Sequence, residues 1–342
     1  MTVLRRKLLA WYRTHHRKLP WRATHDPYRI WVSEVMLQQT RVATVIPYFK
    51  RFLASYPTVR KLAASDEDPV LRTWEGLGYY SRARNLHAAA REVVEKYGGN
   101  LPSSSAELAS LPGFGPYISA AVASIAFGES TAVVDGNVRR VLSRLFETAS
   151  AVDDRAQELI DPKHPGDFNQ AVMELGALVC LPRSPKCEIC PLSTDCLARK
   201  HGTIAAFPPA RAKTKVRIVH AVTVIVQNRN RYFVTQRPMN GRWARMWEAP
   251  THESARVTRL ELVMNLLMNA YGLRLKRFER IARIEHRLSH QTIHTEVMCA
   301  EGRDHSKNGT WVTLTELSEL SMSRLQREAF RRAVSPSSDR RL

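Results

Sequence analysis

Four of the five cysteines in this 342-residue chain fall within seventeen residues, as Cys180, Cys187, Cys190 and Cys196 in the pattern C-x6-C-x2-C-x5-C. Four thiols on one short segment either converge on a common centre or pack separately into a core, and convergence demands a compact loop closed by its own ligands. By ligand count, a tetrahedral zinc ion and a four-iron cluster are both satisfied. A disulfide framework is disfavoured, because the apolar run behind Arg5, Arg6 and Lys7 reaches only from Leu8 to Tyr12, too short for a secretory signal. The expected setting is therefore cytoplasmic, or nucleoid-associated in a bacterium. Elsewhere the most apolar stretch, Ile118 to Phe127, carries two serines and falls far short of the roughly 18 residues that span a bilayer, so no membrane role is expected. Cys299, alone on an expected strand, reads as a buried apolar residue.

Hydrophobic periodicity divides the chain. Up to about Arg199 it is helical: Leu4, Leu8, Trp11 and Tyr12 share one face, and similar faces recur in 82–97, 116–127, 137–147 and 168–179. Gly98-Gly99, Pro112-Gly113 and Gly128 punctuate them. Residues 201–217 carry paired prolines and dispersed basic charge without an apolar period, which reads as a linker. Beyond it the period becomes two, with Val222, Val224 and Val226 alternating with Thr223 and Ile225, a turn at 228–230 and a returning strand at 232–235. A helix from about Val257 to Tyr271, stopped by Gly272, precedes strands at 278–287 and 291–299. The fold class is α+β: an all-helical domain over 1–200, a linker over 201–217, and an α+β domain over 218–335.

Fifty-two basic against thirty-two acidic residues leave a net charge of +20, a field that calls for a polyanionic partner, most simply nucleic acid. Residues 201–342 hold 25 basic and 12 acidic side chains and so carry +13 of it.

Leu111-Pro112-Gly113-Phe114-Gly115 is expected to form a tight hairpin in which both glycines allow positive φ. Ser104 and Glu107 have capping-box spacing before it, and Pro116 suits the first position of the helix after it. The result resembles a helix-hairpin-helix, whose backbone N–H groups at Gly113, Phe114 and Gly115 and whose helix N-terminus hold a DNA phosphate without reading sequence. Asp135 follows two β-branched residues and precedes Gly136, which places it at a helix entry where an ionised carboxylate is favoured. An N-cap with no other duty explains it equally well. Asp26-Pro27 opens another helix, on which Glu34 has Ile30 and Trp31 one turn behind and Leu37 and Gln38 one turn ahead. If that face lines a pocket, desolvation keeps Glu34 protonated near neutrality, as a general acid requires.

Together, Leu19-Pro20-Trp21-Arg22, Trp31 to Thr40, Gly76 to Asn85, Asp135-Gly136-Asn137-Val138 and the cysteine loop resemble the MutY-type adenine DNA glycosylases of the endonuclease III superfamily, over nearly all of residues 1–200. The resemblance implies one [4Fe-4S] cluster on Cys180, Cys187, Cys190 and Cys196, with Arg183 and Lys186 of the loop available to phosphate. It implies excision of adenine mispaired with 8-oxoguanine or guanine in double-stranded DNA; a monomer is the expected state. Related enzymes that also cut the strand carry a lysine just after the hairpin, where this chain has Tyr117, so no Schiff base forms at that position and a monofunctional hydrolase is expected. On the family analogy Glu34 protonates adenine N7, Asp135 meets the oxocarbenium ion, and Tyr117 and Asn137 orient the two carboxylates. Arg17, Trp21, Arg22, Leu37 and Gln170 are implied to shape the adenine pocket, and Gln39 and Tyr79 to enter the duplex. The C-terminal domain resembles the Nudix-like domain that reads 8-oxoguanine in this family. Its hydrolase metal cluster is absent from 241–272, so pyrophosphatase activity is not expected. Where the family's recognition loop has Phe-Ser-His, this chain has Leu288-Ser289-His290, and a leucine stands in place of the aromatic.

Overall fold

A computed structural model of the chain describes residues 2–210, 216–288, 290–303 and 307–334. They fall into two units, Met1–Ser65 with Arg82–Ala212, and Asp66–Ser81 with Lys213–Leu342. Among the described residues no helix is long and apolar enough to cross a membrane.

The first part of the chain is built of α1 (Thr2–His15), α2 (Pro27–Leu37), α3 (Val42–Ser55), α4 (Val59–Ala63), α5 (Glu67–Thr73), α6 (Ser81–Tyr97), α7 (Ser105–Leu108), α8 (Pro116–Phe127), α9 (Gly136–Leu145), α10 (Val152–Leu159), α11 (Pro165–Leu178) and α12 (Leu197–Lys200). All but α5 cluster in the first unit, α6 from Arg82 onward. Local chemistry sets the boundaries. The Asp26 carboxylate accepts from the Tyr28 N–H at 2.9 Å and Pro27 opens α2, while Ser104 Oγ accepts from the Glu107 N–H at 3.2 Å to start α7. Gly128, in the left-handed conformation at φ 75°, stops α8. In the hairpin only Gly113 has positive φ, at 79°. Gly115 does not, contrary to the reading of both glycines as left-handed: at φ −78° it is an extended N-cap that any residue could adopt. A Cβ there would meet nothing within 4 Å, so the space beside the α8 N-terminus is open.

The core of the first unit joins α1, α9 and α11. Leu8, Leu9 and Tyr12 pack with Val138, Val141 and Leu142 and with Phe168, Val172 and Leu175, and Leu4 and Trp11 complete the expected face from partly buried positions. Each such aliphatic side chain contributes roughly 1.5–3 kcal/mol on leaving water. The approach of α11 to α9 requires a glycine, because a Cβ on Gly176 would lie 2.7 Å from Asn137 Cβ and 3.1 Å from its carbonyl oxygen.

The second unit contains a seven-stranded sheet with main order β3-β2-β1-β6-β5. Its strands are β1 (Arg217–Asn228), β2 (Arg231–Gln236), β3 (Trp247–Glu248), β4 (Thr251–Ser254), β5 (Arg274–Arg287), β6 (Gln291–Arg303) and β7 (Thr310–Thr313); its helices, with α5, are α13 (Leu260–Tyr271), α14 (Leu314–Glu319) and α15 (Arg324–Val334). β1 runs parallel to β6, with Val224 opposite Met298, and the remaining pairs are antiparallel. Val222, Val224 and Val226 pack toward Val263 and Leu267 of α13, whereas Ile225 packs with Phe330 of α15. Both faces of β1 are therefore covered, and Thr223, fully buried, is satisfied by the Thr251 hydroxyl at 3.0 Å. The helix expected from Val257 begins at Leu260, leaving Val257 exposed, and ends as expected at Gly272, left-handed at φ 65°.

Because the α9–α11 approach has no slack, Gly176→Ala is expected to destabilise the first unit by about 1–3 kcal/mol, the usual cost of overpacking. A lowered urea midpoint at unchanged slope is the measurement that checks it.

Candidate active site and cysteine loop

Glu34 lies on the inner face of α2 and is 5% exposed. Its Oε2 accepts a hydrogen bond of 2.7 Å from the Tyr117 hydroxyl, on the first turn of α8 just past the hairpin. Burial raises the Glu34 pKa, the Asp135 charge adds to the rise, and the Tyr117 bond and Arg22 oppose it, leaving the group at about 7. Burial, with the charges of Glu34 and Asp135, also holds the Tyr117 phenol well above its usual range, so it stays a donor.

Asp135 caps α9, its Oδ1 accepting from the Val138 N–H at 2.7 Å and its Oδ2 from Asn137 Nδ2 at 3.0 Å. The Asn137 amide is itself oriented: its Oδ1 accepts from Arg140 Nη2 at 2.9 Å, and the same guanidinium donates to the carbonyls of Gly176 and Cys180, each at 2.8 Å. The N-cap reading of Asp135 is thus correct as far as it goes. Its charge nonetheless reaches Glu34 and Tyr117, which places the two carboxylates in one electrostatic environment. A groove of about 890 Å³ opens beside Asp135 along α9, with Arg139, Arg140 and Arg144 in its lining.

Arg17 and Arg22 converge on a residue that the sequence alone did not single out. Glu174 of α11, its side chain wholly buried, accepts from Arg17 Nε and Nη2 at 2.9 and 2.6 Å and from Arg22 Nη1 and Nη2 at 3.0 Å each. Burial would raise its pKa, but these charge-assisted bonds outweigh burial and pull it down to about 2. One acidic residue in the apolar run Ala171 to Leu178, one turn beyond Gln170, was the available signal. Arg140 carried no signal beyond its place in a basic pair. Among the other expected pocket residues, Trp21 is 6% exposed and packs edge-on to Phe49 at 5.4 Å, while Leu37 and Gln170 are half-buried. Gln39 and Tyr79 are exposed and share an unusual backbone, with φ at 55° and 50°. Phe114 of the hairpin is not free to meet a ligand: it is buried against Trp31, ring centroids 5.0 Å apart. In the second unit Leu288 packs partly buried beside Ala221, Ile293 and Leu325, and His290 is exposed; Ser289 lies outside the described residues.

All four clustered cysteines line one cavity with Val141, Leu145 and Leu192, in a loop where Arg183 and Lys186 are exposed. Buried Arg144 donates to Cys180 Sγ at 3.4 Å and to the Leu181 carbonyl at 2.7 Å, and Cys196 Sγ donates to the Arg144 carbonyl at 3.4 Å. Among the described residues no three His, Cys, Asp or Glu side chains are gathered tightly enough to hold a single metal ion. Burial pushes the Cys190 thiol up to about 11 and those of Cys187 and Cys196 in the same direction, so a cationic centre in the cavity is what would favour their thiolate forms.

Residues 32–162 match the HhH-GPD superfamily base excision DNA repair protein family, residues 180–196 the iron-sulfur binding domain of endonuclease III, and residues 221–332 the NUDIX domain. Fold and site together define a base excision repair DNA glycosylase with an iron-sulfur loop. Among solved structures, a thermostable thymine-DNA glycosylase is 32% identical with a TM-score of 0.55, covering 58% of this chain and 96% of that one. An endonuclease III in a non-covalent DNA complex is 25% identical with a TM-score of 0.51, covering 58% and 94%. Human adenine DNA glycosylase is 34% identical over 97% of this chain and 74% of its own, and the Buchnera aphidicola (subsp. Schizaphis graminum) enzyme 32% over 85% and 86%. The rat enzyme reaches 48% over 61% of this chain, an alignment that takes in 44% of the rat protein's length. The chain belongs to the adenine DNA glycosylase family.

Removing the Glu174 charge strands two guanidinium groups, of which Arg22 has a side chain only 11% exposed. A drop in the Glu174 pKa from 4.5 to about 2 corresponds to roughly 3 kcal/mol of stability. With a folded value below the unfolded one, this stabilisation is complete above about pH 4.5 and is lost as pH falls toward about 2. Glu174→Gln is therefore expected to lower neutral-pH stability by about 3 kcal/mol and to flatten its acid dependence in that window, read by urea titration at several pH values.

Proposed function

We propose that this glycosylase, acting as a monomer on duplex DNA, hydrolyses the N-glycosidic bond of adenine mispaired with 8-oxoguanine or guanine and leaves the strand uncut. The observation that carries the reading is a carboxyl group held near a pKa of 7, hydrogen-bonded by a tyrosine and sharing its field with a second carboxylate. Glu34 can hold a proton at neutrality and donate it to adenine N7, so that the base departs neutral. Asp135, oriented by Asn137 and the Val138 N–H, meets the positive charge that develops on the sugar, as stabiliser or transient covalent partner, before water completes hydrolysis. The adenine first leaves the stack. Arg17, Trp21, Arg22, Leu37 and Gln170 form its pocket, with Glu174 keeping the two arginines in place, and Gln39 and Tyr79 enter the duplex. Tyr117 stands where a strand-cleaving relative needs an amine. Gly113 and Gly115 contribute backbone N–H groups beside the α8 N-terminus, which suits a phosphate, while the Phe114 N–H closes the hairpin on the Leu111 carbonyl at 3.1 Å.

Leu288, Ser289 and His290 read the opposing 8-oxoguanine. The packing of Leu288 against Ile293 and Leu325 supplies an aliphatic anchor for the loop in place of an aromatic ring. Cys180, Cys187, Cys190 and Cys196 hold one [4Fe-4S] cluster, which when bound pins the loop that carries Arg183 and Lys186 toward the backbone of DNA.

A duplex with adenine opposite 8-oxoguanine is expected to yield free adenine and an alkali-labile site, with no strand break before alkali. Glu34→Gln and Asp135→Asn should each lose at least about a hundredfold in single-turnover rate, within the usual range for an acid-base group. The acid form of Glu34 is the active one. The rate should therefore fall about tenfold per pH unit above about 7, and Tyr117→Phe, which removes a bond favouring the ionised form, should move that limb to higher pH. Strand scission without alkali, or wild-type release by Glu34→Gln, would defeat the assignment.

The purified protein should be brown and contain iron and acid-labile sulfide in equal amounts, close to four of each per chain. A colourless protein loaded with zinc is the opposite result.

A further inference from the structure

Residues 66–81 lie in sequence among the helices of the first unit but cluster with the second. Their contacts there are specific. On α5, the Asp68 carboxylate accepts from Ser321 Oγ at 3.0 Å and from Trp247 Nε1 at 3.3 Å. Ser321 is 1% exposed, and its carbonyl accepts the Trp247 backbone N–H at 2.8 Å. Two more exposed ion pairs, Glu67 with Arg245 and Arg72 with Glu319, flank this contact and add little.

The centre of the arrangement is Arg327 on α15. Its guanidinium donates to the carbonyls of Leu317 at 2.8 Å, Ser318 at 3.3 Å and Leu320, the groups left open where α14 ends. The same side chain grips Glu75 in a fork, Nε to Oε1 at 2.9 Å and Nη2 to Oε2 at 3.3 Å. A planar group with five fixed donors can make this set of bonds, and an ammonium cannot.

Glu75 is the residue before the loop Gly76-Leu77-Gly78-Tyr79-Tyr80. Gly76, Gly78 and Tyr79 have φ of 93°, 76° and 50°. The loop is closed by Trp74 Nε1 donating to the Gly78 carbonyl at 3.2 Å and by the Gly76 N–H donating to the Tyr80 hydroxyl at 3.3 Å. Trp74 is fully buried and Tyr80 nearly so, yet Tyr79 between them is 40% exposed. An aromatic residue held left-handed persists only where its surroundings over-determine it, and such strain marks functional positions.

We infer that Arg327 is a positioning residue for Tyr79: by fixing Glu75 against the end of α14, it sets the conformation in which the loop offers the Tyr79 ring to DNA. This rests on the glycosylase reading, in which Tyr79 enters the duplex. The final helix of the NUDIX-like unit thereby serves DNA engagement through a residue that need not touch DNA itself.

A thermodynamic cycle in the full-length protein tests this, using an adenine/8-oxoguanine duplex with 2-aminopurine beside the 8-oxoguanine. Arg327→Lys keeps the charge, and hence any general attraction to phosphate, but loses the fork. It is expected to weaken binding about fivefold and to remove at least half of the 2-aminopurine fluorescence change seen on binding, a coupling typical of groups in one network. In a Tyr79→Ala background the same substitution should change affinity less than about twofold, because the group it positions is gone. An equal loss in both backgrounds, or a full fluorescence change in Arg327→Lys, overturns the inference. Should thermal unfolding find Arg327→Lys misfolded, Glu75→Gln, which leaves Arg327 on the α14 carbonyls, takes its place in the same cycle with the same outcomes. The two readings fail separately: absence of adenine release by the unaltered protein counts against the glycosylase assignment, whereas the cycle reads only binding and stacking.

Discussion

The contact between α9 and α11 at Gly176 organises the first unit. With no side chain at 176 the two helices close to a separation at which Arg140 can bond the Gly176 and Cys180 carbonyls and the Asn137 amide together. Asp135, Glu174 and the first cysteine of the loop all sit on, or just beyond the ends of, these two helices. Their geometry is therefore a property of one packed interface, which rigid interiors maintain far better than loops do. The apolar core that joins the pair to α1 supplies the free energy, and the polar bonds set the register.

Charge is handled in two opposite ways within this unit. Glu174 is buried with two arginines and stays ionised, at about 2, whereas Glu34 is buried with a neutral phenol and is raised to about 7. Identical side chains thus acquire different protonation states from the partners they are given. That separation distinguishes a structural carboxylate from one able to deliver a proton, and Arg22, which bonds the first and is felt by the second, links the two.

Much of this was legible in the chain itself, for physical reasons that differ by element. Caps and breakers act locally, so Asp26-Pro27, Ser104, Pro116, Gly128 and Gly272 mark boundaries that hold in three dimensions. The cysteine spacing is equally local and places four thiols around one cavity. Glu174, Arg140 and the grouping of residues 66–81 with the C-terminal unit were not legible, since each depends on partners far away in sequence, as between Arg17 and Glu174 or Glu75 and Arg327. Gly115 misleads for another reason: its φ is ordinary and a Cβ there would meet nothing within 4 Å, so neither backbone nor space calls for a glycine. The alternation along β1 correctly marked a strand but could not reveal that helices cover both of its faces.

The separation of Glu75 from Arg327, 252 residues along the chain, bears on the order in which a newly made molecule matures. On a chain growing from its N-terminus, the helices that carry Glu34 and Asp135 can collapse together while the C-terminal strands are still unmade. The segment from Asp66 to Ser81 has no finished surface to settle on until α15 has formed. The conformation of a loop that stands early in the chain therefore depends on bonds that only α15, near its other end, supplies.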